Sequence, residues 1–187
     1  MSSVHTLHKK IGDLLKKAFP ENPPVLDAAC DEDQHQHIPL FVSNKSRENQ
    51  YCKVDALFLN KKKDRVRIII EIEETERNPI KLFGKLFASN FSRYYIPKES
   101  DPIEMDDNML FIQIVRCYDV PTDTMGKTSP EKLQQFKNVR DSIKMTIQNE
   151  KFRFRQYEMI TGDLKDFDTL TCKNNQDMKS YIEKAFK

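Results

Sequence analysis

The sequence predicts an α/β domain in which a mixed central sheet is flanked by helices. Three observations carry that expectation. Two β-rich runs, Tyr51–Leu59 and Arg65–Glu73, are joined by the polar turn Asn60-Lys61-Lys62-Lys63-Asp64; a helical apolar period starts at Pro79; and Met109–Cys117 is an almost unbroken apolar run. The resulting order is α-β-β-α-β-α-β, with a short final helix.

The elements follow in chain order. Val4–Phe19 reads as an amphipathic helix through Leu7, Ile11, Leu14, Leu15 and Ala18. Residues 20–46 carry little periodicity and are rich in Pro, Asp, Asn and His, which predicts a long ordered loop with one short strand. The next two runs form a hairpin whose opposed residue numbers sum to about 124 to 126, so Asp55 lies across from Ile69 to Glu71. Alternation puts Glu71 and Glu73 on one face and Ile70 and Ile72 on the other. Asn78 is placed to cap a helix and Pro79 to open it; Ile80, Phe83, Gly84, Phe87, Ala88, Phe91 and Tyr95 then recur at three- and four-residue spacing, a face expected to cover the sheet. The run at Met109–Cys117 is expected to be a central strand parallel to the second hairpin strand. A helix from Ser129-Pro130 to Asn149, a strand from Phe152 to Ile160 and a helix from Asn175 to Phe186 complete the chain.

Composition sets bounds. With 187 residues and 38% hydrophobic content, the chain suits one domain over 1–187, and no linker or repeat divides it. A net charge of +2 does not by itself argue for nucleic acid. The four cysteines are scattered, without a C-x-x-C pair or a signal peptide, which points to reduced thiols and a cytoplasmic location. No apolar run reaches the length of a membrane span. Only four glycines occur, and they form no phosphate-cradling loop, which speaks against a nucleotide-binding small-molecule enzyme on another α/β fold.

The chemistry concentrates at Asp55, Glu71 and Glu73. Carboxylates brought together in an apolar strand pair repel one another unless a cation or protons offset the charge. A hard divalent ion would do so, using one or two carboxylates, waters and a substrate phosphate. Two plainer readings stand beside it: a structural ion-pair network with Lys53, Lys81 or Lys85, and, for Glu73, Glu74 and Glu76, a charged approach to a helix N-terminus.

Asp55, then Glu71-Ile72-Glu73, then an amphipathic helix resembles the core of the PD-(D/E)XK superfamily, the restriction-endonuclease-like nucleases, over roughly residues 51–117. Val54 stands where that motif has Pro, and Glu73 stands where it has Lys; some restriction enzymes carry the same E-x-E form. The resemblance implies a Mg2+- or Mn2+-dependent endonuclease hydrolysing phosphodiester bonds in DNA. Asp55 and Glu71 would ligate the ion, and the carbonyl of Ile72 could add a ligand. Glu73 would serve as base or second-metal ligand, and Lys81 or Lys85 would supply a relocated cation. A homodimer is compatible with it, since many enzymes that cut both strands of a duplex act as dimers. The alternative is a non-catalytic nucleic-acid- or protein-binding module on the same fold.

Other features have more than one reading. Asp31-Glu32-Asp33-Gln34-His35-Gln36-His37 is either a solvated acidic loop, a source of one further acid for the centre, or a zinc site. Lys61, Lys62, Lys63, Arg65 and Arg67 at the hairpin tip, and Lys151, Arg153 and Arg155 alternating with Phe152 and Phe154, are either phosphate-tracking stripes or ordinary solvated strand faces. Phe83, Phe87 and Phe91 are expected in the core.

Overall fold

The computed structural model describes residues 5–33, 36–74, 78–98, 100–117, 129–148 and 151–187. The apolar stripe of the first helix does what its period requires. In α1 (Thr6–Ala18), Leu7, Ile11, Leu14 and Leu15 are buried. The second helix, α2 (Pro79–Phe91), starts with Asn78 accepting the Lys81 N–H. In α3 (Pro130–Thr146), Ser129 does the same for Lys132. The last, α4 (Lys173–Ala185), buries Met178, Ile182 and Ala185.

Among the described residues eight strands form one mixed sheet: β1 (Val25–Leu26), β2 (Ile38–Phe41), β3 (Gln50–Val54), β4 (Ala56–Leu59), β5 (Arg65–Glu73), β6 (Tyr94–Tyr95), β7 (Ile103–Arg116) and β8 (Phe154–Gly162). Their order is β1-β4-β5-β7-β6-β2-β3, with β8 also paired to β7. β4 and β5 are antiparallel, with Ala56 opposite Ile70 and Leu57 opposite Ile69. β7 runs parallel to both β5 and β8. In the connecting turn, Lys63 adopts φ 59°, and the Asn60 side chain bonds Asp64 on both sides.

Alternation along β5 sorts the core into two layers. Ile68, Ile70 and Ile72 face α1 and α4; Val66 and Ile69 face α2 and α3. Glu71 and Glu73, in step with Ile69, therefore point toward the α2 side, and Glu74 toward α1.

Four details differ from the sequence-based expectation. The first hairpin strand is broken at Asp55, with its two halves paired to different neighbours, β3 to β2 and β4 to β5. Residues 20–46 supply two short strands, β1 and β2. The central strand begins at Ile103, because its polar first residues pair with β6. The orientation of α2 is corrected too. Its buried residues are Leu82, Leu86, Ser89 and Asn90, whereas Ile80 and Phe91 are 84% and 57% exposed and Phe83 and Phe87 half-buried. The row 82-85-86-89 has the same helical spacing as the more apolar row 80-83-87-91, and it wins because it carries Lys85 to the acids. Gln113, buried on β7, fixes this face by donating to the Leu82 carbonyl at 3.0 Å while accepting from the Tyr157 hydroxyl at 2.6 Å. Phe87 instead packs edge-on against Phe152, 5.5 Å between ring centroids.

Gly12 lets α1 approach the loop before β2. A Cβ there would lie 2.2 Å from the Cys30 carbonyl oxygen. Alanine would strengthen an isolated helix by ~1 kcal/mol, yet Gly12→Ala is expected to lower stability by about 1–3 kcal/mol through overpacking. Urea unfolding decides the sign; a gain in stability would remove the close contact from the account of this packing.

Candidate functional site

Asp55 sits where one strand exchanges one neighbour for another, β3 pairing with β2 and β4 with β5. Beyond the Ala56–Ile70 pair the chain turns away from β5, so the Ile72 N–H loses its ladder partner on that side. The Asp55 carboxylate replaces it, Oδ2 accepting from Ile72 N at 2.7 Å, while the Asp55 carbonyl accepts from Asp27 N at 2.9 Å. A side chain placed in the strand by sequence thus becomes the plug of a fork, which locks it beside Glu71 and Glu73.

The three acids meet one cation. Lys85 Nζ, reaching from α2, lies 2.7 Å from Glu71 Oε2, 2.8 Å from Glu73 Oε1 and 3.9 Å from Asp55 Oδ2. Glu71 is 1% exposed and Glu73 4%. Burial, the Asp55 charge and the Glu73 charge hold Glu71 well above the ordinary carboxylate range against the pull of Lys85. Burial disfavours the Lys85 charge, but Glu71, Asp55 and Glu73 together outweigh it and raise its pKa. Two buried oxygens of this cluster have no hydrogen-bond partner among the described residues: Glu71 Oε1, and Glu73 Oε1, which touches Lys85 without hydrogen-bond alignment.

On the opposite face, Glu74 is buried and bound from several directions. Its Oε1 accepts from Arg116 at 2.8 Å and Leu7 N at 3.2 Å, and its Oε2 lies 3.1 Å from His8 Nδ1. His8 Nε2 lies 3.7 Å from Asp55 Oδ1, so the imidazole links the two groups of acids. Arg116 also reaches Asp163 at 3.2 Å. Burial disfavours the thiolate form of both nearby cysteines. Burial pushes the Cys52 thiol up to about 11, and burial followed by the charges of Asp55 and Asp27 raises Cys30 as well.

Asp55, Glu71, Glu73 and Lys85 are therefore brought together, as their sequence positions suggested. Lys81 is exposed one turn earlier on α2, and Ile72 contributes its N–H to Asp55. Within the Asp31–His37 segment the described side chains go to separate partners: Asp31 to Lys16 at 3.2 Å, Glu32 to Lys9 at 3.5 Å, His37 to Asp27 at 2.9 Å. Gln34 and His35 lie outside the described residues. The basic residues are not beside the acids. Lys61, Lys62 and Lys63 precede β5 and Lys151 and Arg153 precede β8, at the end of these strands opposite Glu71 and Glu73. Along β5 that is roughly 26 Å at about 3.3 Å per residue. Arg67 is tied internally, donating to the Ala185 carbonyl at 2.8 Å and pairing with Asp106. A groove of about 410 Å³ lies on the solvent side of α1, lined by Lys10, Asp13, Lys17 and Asp168, away from the acids.

Sequence reading missed His8, Glu74 and Arg116 as parts of this region. His5 and His8, three apart on an amphipathic helix, were a visible signal; the acid they would meet was not.

No family model, no curated protein and no solved structure matches this chain.

The electrostatics give a pH-dependent expectation. Because Glu71 is raised above its ordinary 4.5, the folded state binds more protons there than the unfolded chain. Its contribution to stability therefore falls as pH rises through that window. Lys85→Met removes the ammonium that faces all three acids, and is expected to cost about 3–5 kcal/mol at neutral pH. That loss should shrink as pH is lowered toward the ordinary carboxylate range and Glu71 takes up its proton. Urea titrations at several pH values check both; a pH-independent loss would show that Lys85 acts through packing.

Proposed function

We propose that this protein is a divalent-metal-dependent endonuclease hydrolysing phosphodiester bonds in DNA, built on a restriction-endonuclease-like core. One observation carries the reading: three carboxylates converge on a single ammonium, and Glu71 Oε1 is buried there without a partner. This donor set is all oxygen, anionic in excess and partly unsatisfied, which fits magnesium or manganese. Asp55 and Glu71 would hold the ion, with the Ile72 carbonyl or Glu73 as further ligands. Bound there, it would polarise a phosphate oxygen and acidify a water.

The residues themselves have distinct tasks. Glu73 lies on the same strand face as Glu71, and its Oε1 is the acceptor for the proton of an attacking water. Lys85, released from part of its pairing with Glu71 and Glu73, offsets charge on the phosphate. Asp55 is held still by Ile72 N on Oδ2, the oxygen that faces Lys85, so the carboxylate has a fixed direction. The antiparallel β4–β5 pair carrying the acids, followed by α2 and the parallel β7, supports the nuclease-like core. Action on duplex as a homodimer belongs to the same reading.

A second reading, a binding module without hydrolysis, is favoured by one feature: Lys85 already offsets Glu71 and Glu73. The two readings part on metal response. Supercoiled, linear and single-stranded DNA incubated with magnesium, manganese or EDTA should be cut only with metal. Asp55→Asn and Glu71→Gln should each lose at least about 100-fold of the rate with an unchanged circular-dichroism spectrum. Full-rate cleavage by Asp55→Asn would remove the centre assigned here, and no cleavage by the wild type in any condition would leave the binding module.

A further inference from the structure

We propose that His5, His8 and Glu74 form a second metal site, distinct from the oxygen-donor centre at Asp55 and Glu71, that takes a zinc-class divalent ion. One ligand atom from each lies within 4.8 Å of the others. Two imidazole nitrogens and one carboxylate oxygen suit zinc and not magnesium.

The finer geometry supports it. Bonds of about 2.0–2.1 Å at tetrahedral angles place neighbouring donors about 3.3 Å apart; His8 Nδ1 and Glu74 Oε2 are 3.1 Å apart. Glu74 is already oriented, because Arg116 holds Oε1 and the Leu7 N–H bridges both oxygens at 3.2 and 3.3 Å, with Oε2 toward the imidazole. With Nδ1 on the ion, the His8 proton must be on Nε2, which faces Asp55 Oδ1 at 3.7 Å. At that distance the carboxylate is not hydrogen-bonded to the ring, but its charge favours the tautomer with the proton on Nε2. His5 completes the set. It stands at the N-cap of α1, its side chain makes no capping bond, and its ring is edge-on to His8 at 5.2 Å between centroids. It is exposed, so the fourth position opens to water. The bound ion would clamp the start of α1 to the end of β5.

The rival arrangement, a plain His8–Glu74 ion pair, has no use for His5, and that difference supplies the test. The full chain, stripped of metal by chelator and dialysis, is titrated with cobalt(II) and zinc, cobalt giving visible d–d bands without thiolate charge transfer. With excess magnesium present to fill the oxygen-donor centre, the expected result is one equivalent of cobalt bound, with bands that vanish on adding zinc. His5→Ala, which alters only an exposed side chain, should weaken binding at least about tenfold. Glu71→Gln should keep the equivalent. Absence of saturable binding, His5→Ala binding as tightly as wild type, or loss of binding in Glu71→Gln would each overturn the proposal. None of these readouts depends on DNA cleavage, so the second site can fail while the hydrolase reading stands, and the reverse.

Discussion

The charge on Lys85 is the constraint around which the rest is arranged. Glu71 and Glu73 are buried almost completely, and neither has another cation within ion-pair distance among the described residues. Removing such an ammonium leaves carboxylates facing one another in a low-dielectric setting, which is far costlier than losing a surface pair. Lys85 must therefore face the sheet, and α2 must rotate to allow it. That rotation explains why Leu82, Leu86 and Ser89 are buried while Ile80 and Phe91 face solvent. It also gives the buried Gln113 its place, since its amide donates a second hydrogen bond to the Leu82 carbonyl and so ties the α2 backbone to β7.

Asp55 plays the complementary part in the sheet. A long strand that serves two neighbours must fork, and a fork exposes backbone groups that need partners. Here the carboxylate supplies one of them, so the residue that shapes the sheet is also the residue that fixes the centre. The path of the sheet shows the same economy: from β4 through β5, β7, β6 and β2 it reaches β3, which continues into β4 with only Asp55 between. The acid is thus braced from both ends of a curled sheet.

Much of this was legible in the chain. Alternation placed Glu71 and Glu73 on one face, the turn length fixed Asp55 near Glu71, and Asn78-Pro79 marked the start of α2 correctly. These are local signals, in which strand period, turn chemistry and capping decide the outcome within a few residues. What was not legible depends on partners distant in sequence. The fork at Asp55 requires β2, whose four residues sit in a stretch with no period. The face of α2 was misjudged because apolar content favoured Ile80, Phe83, Phe87 and Phe91, and only the tertiary demand of Glu71 and Glu73 on Lys85 reverses the choice. The second layer of acids failed to show for the same reason: Glu74 meets His8 and Arg116 across 66 and 42 residues.

The separation of charge along β5 sets a length scale for any ligand. The acids lie at one end and Lys61, Lys62 and Lys63 precede the other, roughly 26 Å apart at about 3.3 Å per residue. One polyanion that engages both ends must be at least that long. In duplex DNA, rising 3.4 Å per step on each strand, this is about eight base pairs. On the proposed reading, a mononucleotide or dinucleotide would reach one end only, and the length of an oligonucleotide, independent of its sequence, would determine whether the two ends are coupled.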